Sequence, residues 1–117
     1  MTYSNSQYAT GNFLQRTLRL SGAEERVVYV RISYPIIDGN HCFCGYEISG
    51  LQQKVKGKSF GVDGIQAVLY AINSVGSALY FCDEYREGFL TWDLGGNATY
   101  LGFPVPKPIA DLVPDFE

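Results

Sequence analysis

From Leu14 to Phe60 the chain alternates apolar and polar positions with a period of two, the signature of half-buried strands. Leu14, Arg16, Leu18 and Leu20 share one face of a first strand, with Gln15, Thr17 and Arg19 on the other. Ser21-Gly22 and Glu24-Glu25 form a turn, and Val28, Val30, Ile32 and Tyr34 then line one face of a second strand that Pro35 ends. Asp38-Gly39-Asn40 is turn chemistry, because Gly and Asn tolerate a positive φ. Cys42, Cys44, Tyr46 and Ile48 mark a third strand, Gly50 breaks it, and Gln52 to Phe60 reads as a weaker fourth. Short turns between them predict an antiparallel meander with one wet face.

After Asp63 the period changes to 3.6. Asp63 is a good N-cap, and Gln66 three residues later gives capping-box spacing. Ile65, Val68, Leu69, Ile72, Val75, Leu79 and Tyr80 follow helical spacing and predict one long helix with these residues toward the core. A second stripe is small only, Ala67, Ala71, Ser74 and Ala78, and offers a packing face or a dimer face. No Lys, Arg, Asp or Glu lies between Asp63 and Asp83, so both sides of this helix are expected to be covered: one by the sheet, the other by the proline-rich tail, a second copy or a partner. Tyr85 to Gly88 suggests a C-terminal turn. Phe89–Trp92 and Thr99–Phe103 read as two short strands around Gly95-Gly96-Asn97, and from Pro104 the chain is proline-rich and extended. The fold class is therefore α+β, with residues 1–12 a flexible polar lead and 13–117 a single domain.

Composition narrows the function classes. The chain has 117 residues, 46% hydrophobic and 18% charged, enough apolar content for a real core. The net charge of -3 argues against a general nucleic-acid binder. It hides a split: residues 1–62 sum to +3 and residues 63–117 to -6. Three cysteines are too few for a disulfide framework and point to a reducing compartment. No targeting segment is apparent, and the uncharged stretch Gly64–Cys82 carries too many polar residues (Gln66, Asn73, Ser74, Ser77) for a membrane span.

Candidate chemistry is sparse. In His41-Cys42-Phe43-Cys44 the two thiols share a strand face with Tyr46 and Ile48 while His41 points the other way, so the cysteines read as core rather than metal ligands. Asp83, Glu84, Glu87 and Asp93 cluster near Tyr85 and Trp92. The cluster reads first as a solvated acidic loop, then as a patch with aromatic anchors suited to a basic protein, and nothing in its spacing demands a catalytic carboxylate pair. Lys54, Lys56 and Lys58 fall on one face of the fourth strand, where lysines block edge-to-edge pairing; aromatic interleaving along that strand is absent. Gly61-Val62-Asp63-Gly64 lacks a phosphate-binding pattern, and Asp63 would repel an anion.

Gly61-Val62-Asp63-Gly64-Ile65-Gln66-Ala67-Val68-Leu69 opening a long helix, then Trp92 and Leu101-Gly102-Phe103-Pro104, resembles a family of small bacterial proteins of unknown function, over about residues 14–104. The strand from Cys42 to Gly50 is similar too. The resemblance carries no activity or catalytic residue; it implies a bacterial, cytoplasmic, single-domain protein. Three readings follow. The first is a protein-binding module, specifically an immunity protein that neutralises a cognate toxin through Asp83, Glu84, Tyr85, Glu87, Trp92 and Asp93. The second is a small-ligand binder or enzyme with an aromatic-lined pocket, the third a homodimer joined through Ala67, Ala71, Ser74 and Ala78. No cofactor, metal, nucleic acid or membrane is expected.

Overall fold

A computed structural model describes residues 13–92 and 100–106. Strand β1 (Phe13–Leu20) pairs antiparallel with β2 (Arg26–Ser33), and β2 with β4 (His41–Ser49). The short β3 (Ile36–Asp38) continues the line of β2 along β4, and β5 (Val55–Gly61) pairs with the other side of β4. The two-residue β6 (Leu90–Thr91) closes on β1. The expected meander is thus present, as a six-stranded antiparallel sheet. Against it lies helix α1 (Gly64–Phe81), followed by the single turn α2 (Asp83–Arg86). The expected lead, 1–12, lies outside the described residues.

The break at Pro35 is a bulge. Ile32 pairs with Tyr46 but Ile36 with Phe43, so the β2–β3 side carries one extra residue. Proline cannot donate to the ladder. The Ser33 hydroxyl instead accepts the Gly45 N–H at 2.8 Å and donates to the Tyr34 carbonyl at 3.0 Å. The bulge also turns Tyr34, expected inside, out to solvent.

Leu18, Leu20, Val28, Val30, Ile32, Cys42, Cys44 and Ile48 form the sheet side of the core, as alternation predicts. The helix side differs from expectation. Asp63 caps the helix by accepting the Gln66 N–H, and Gln66 reaches back to the Val62 N–H, one residue outside the usual box. The residues facing the sheet are Ala67, Ala71, Val75 and Leu79, whereas Ile65 and Leu69 are 73% and 54% exposed. The reason is proximity. Helix α1 sits so low on β5 that a Cβ on Gly61 would collide with the Ala67 and Gln66 backbone, and only small side chains fit between. The Ser59 and Ser74 hydroxyls meet there at 3.3 Å. Ala67 and Ala71 are fully buried within the chain, so that part of the small-residue stripe is a packing face on its own sheet, while Ser74 and Ala78 are half-buried.

Of the second short strand expected at Thr99–Phe103, residues 100–103 form none, and Thr99 lies outside the described residues. Residues 100–106 cross the C-terminal half of α1, where a Cβ on Gly76 would come within 2.6 Å of the Pro104 carbonyl. The buried Tyr80 hydroxyl accepts the Leu101 N–H at 2.8 Å and donates to the Phe103 carbonyl at 3.3 Å. Backbone that forms no ladder is satisfied by one side chain. The tail beyond Pro106 lies outside the described residues.

Burial, reinforced by the neighbouring Tyr85 and Tyr100, pushes the Tyr80 phenol from 10.0 up to about 12, against the opposing pull of the Leu101 N–H. The unfolded chain therefore loses this proton first, so the contribution of Tyr80 to stability is intact below pH 10 and is lost as pH rises through about 12. Tyr80→Phe is expected to cost about 1–3 kcal/mol in urea unfolding at neutral pH, by leaving two buried backbone groups unpaired. It should also flatten the decline in stability between pH 10 and 12 that is expected of the wild type.

Candidate functional site

Asp83, Glu84 and Glu87 of the acidic cluster lie where α1 gives way to α2, and the first two have structural work there. Asp83 pairs with Arg86 on the same turn. The Glu84 carboxylate accepts the Gln52 N–H at 2.7 Å and so pins the loop after β4. The Tyr85 ring stands edge-on against Tyr80, with centroids 4.9 Å apart. Glu87 is exposed, and Asp93 lies outside the described residues. Asp83 and Glu84 both line a pocket of about 360 Å³ with Leu51, Gln52, Phe81 and Cys82. Adjacent positions on a helix do not face each other, so these two carboxylates are not arranged as an acid–base pair.

Trp92 faces β1 and the crossing segment. Its ring covers the Arg16 guanidinium at 4.0 Å, Phe103 holds the same group at 4.9 Å, and Arg16 Nη1 donates to the Gly102 carbonyl at 2.7 Å. Burial lowers the Arg16 pKa, while nearby Tyr100 and Tyr80 act in the opposite direction. Arginine remains charged under such shifts. Trp92 therefore clamps β1 to the crossing segment, a packing role rather than a waiting anchor.

The thiols are equally structural. Cys42 and Cys44 are buried and Cys82 half-buried, all free. Burial raises the Cys44 and Cys82 pKa values, with Cys42 adding to the first and Glu84 to the second. Thiols held protonated are poor nucleophiles and poor ligands. No group of three or more His, Cys, Asp or Glu side chains is placed to hold a metal among the described residues. His41 lies exposed, edge-on to Phe60 with ring centroids 6.1 Å apart.

Two further surfaces emerge, one not foreseen in the sequence and one foreseen only as the lysine face of the fourth strand. The first is an open groove of about 510 Å³ lined by Pro35, Asp63, Gly64, Ile65, Val68 and Leu69. Its signal was present, a helix with no charge on any face, but periodicity assigned Ile65 and Leu69 to the core. The second is the sheet face away from α1. There Lys58 lies 4.7 Å over the Phe43 ring and Phe43 is 5.7 Å from Phe60, so aromatic partners for the lysines come from the neighbouring strand. Across the same face Glu47, only 8% exposed, meets Lys54 at 3.2 Å.

Comparison with known proteins places the chain without assigning it an activity. Residues 14–105 match the family described as Domain of unknown function (DUF6968), and the chain belongs to that family. No curated protein and no solved structure matches it. Among the described residues no helix is long and apolar enough to cross a membrane.

The roles assigned to Trp92 and Glu87 separate in a stability measurement. Trp92→Ala is expected to cost about 2–3 kcal/mol of folding free energy, since it strips the cover from Arg16. Glu87→Lys, at an exposed position, should change it by less than about 0.5 kcal/mol. Urea unfolding followed by tyrosine fluorescence or circular dichroism measures both.

Proposed function

We propose that the protein is a protein-binding module whose partner inserts an apolar side chain into the groove between Pro35 and the first two turns of α1. The observation that carries this reading is the exposure of Ile65 and Leu69 together in that groove. Clustered large apolar side chains at the surface are characteristic of interaction sites. Among the described residues Asp63 is the only charged one lining it, so a basic residue flanking the partner's anchor is favoured.

The finer form of the proposal is a bacterial, cytoplasmic immunity protein that neutralises a cognate toxin of basic character. The acidic half of the chain supports it, with Asp83 and Glu87 presenting exposed carboxylates near α2. Three free thiols are at home in a reducing compartment. Glu84, Tyr85 and Trp92 contribute less to such a surface than their sequence suggested, because each is engaged within the chain.

The test compares variants of exposed residues that leave folding intact. A basic partner, copurified from the source cell and identified by mass spectrometry, should be retained by the wild type and by Phe81→Glu at the far end of the helix. Leu69→Glu should weaken it at least tenfold, about 1.4 kcal/mol, as measured by calorimetry with the purified partner. A partner held equally well by Leu69→Glu would overturn the groove assignment. A concentration-dependent dimer abolished by Leu69→Glu would replace the partner with a second copy.

A further inference from the structure

Strand β5 is hydrogen-bonded to β4 along its whole length, from Val55 opposite Ile48 to Gly61 opposite Cys42. Among the described residues no strand pairs with its other side. Alternate N–H and C=O groups of β5 therefore point outward along an open edge. The helix-side residues of the strand, Val55, Gly57, Ser59 and Gly61, are small and half-buried or buried. The opposite face carries Lys56, Lys58 and Phe60 in succession, all exposed, with Lys54 just ahead of the strand.

The charges on this row are unequal. Lys54 is paired with Glu47. Lys56 lies opposite Glu47 in the ladder, but among the described residues neither it nor Lys58 closes an ion pair, and Lys58 rests on the Phe43 ring because Gly45, opposite it, presents no side chain. Two copies of this edge laid together would oppose lysine to lysine, which disfavours self-pairing. The same row opposite an acidic strand gains a cross-strand pair at each lysine. An edge that rejects itself and accepts the opposite charge is selective rather than merely blocked. Phe60, 53% exposed and flanked by Phe43 and His41, adds an aromatic contact where the lysines end.

We propose that β5 is a docking edge for an extended acidic segment of a partner protein, which adds as a further strand with carboxylates opposite Lys56 and Lys58 and an apolar side chain against Phe60. Main-chain hydrogen bonds supply affinity and the alternate side chains supply selection. This rests on the protein-binding reading but uses a different surface, since Leu69 is on α1 and Lys58 is on the sheet face turned away from it.

The experiment uses the full chain and a fluorescein-labelled peptide alternating Glu and Val, followed by anisotropy at low and at physiological salt. Saturable binding that weakens with salt is expected, with little from the Lys-Val counterpart. The double variant Lys56→Gln, Lys58→Gln should weaken binding about tenfold, and the Glu double variant should weaken it more. N-methylation of alternate peptide amides should abolish binding, since simple ion pairing would survive it. Leu69→Glu should leave peptide binding unchanged. Unimpaired binding of the N-methylated peptide, or tighter binding of oligothymidylate than of the Glu-Val peptide, would overturn the proposal. So would no binding by wild-type protein whose Leu69-dependent partner is retained, and that result would leave the protein-binding reading standing.

Discussion

The close seating of α1 on β5 governs what the rest of the molecule can do. With Gly61 beneath the first turn and Ala67 and Ala71 facing the sheet, the helix backbone approaches the strands more nearly than Val or Leu would allow. Its larger side chains must then go elsewhere. Val75 and Leu79 still reach the core farther along, but Ile65 and Leu69 are turned aside and line the groove with Pro35. An apolar surface at the start of the helix follows geometrically from packing small residues beneath it.

The other end of the helix meets the same problem and resolves it internally. Gly76 and Tyr80 receive the segment through Leu101, Phe103 and Pro104, and Arg16, held between Trp92 and Phe103, ties that segment back to β1. The two ends of one uncharged helix therefore have opposite fates. One is covered by the chain's own backbone, the other left open. Residues such as Trp92 and Glu84, which look like recognition elements in the linear chain, turn out to hold this arrangement together.

Strand alternation and the Asp63 cap were legible in the sequence because each depends on local chemistry: pleat parity in one case, a side chain reaching three residues in the other. The orientation of α1 was not. Helical periodicity ranks stripes by hydrophobicity, and here the buried stripe was chosen by size. Long-range pairings were equally hidden, since nothing near Glu84 announces Gln52, and nothing near Lys58 announces Phe43 across the ladder. Of the residues picked for clustering in the chain, Asp83, Glu84, Tyr85 and Glu87 stay together on one turn while Trp92 packs on Arg16, and the groove drew Pro35 from the bulge between two strands and Leu69 from the helix.

The Leu101 amide hydrogen is bound to a phenol and not to a backbone carbonyl. In the sheet, amides exchange with solvent only as the ladder opens, whereas this one is released whenever the crossing segment lifts from Tyr80. The molecule thus contains a spectroscopic clock for one local event. A Leu101 amide that exchanges faster than the amides of β4 would mark residues 100–106 as a separable flap over a persistent sheet. Matched rates would mean that helix, sheet and segment open as one cooperative unit.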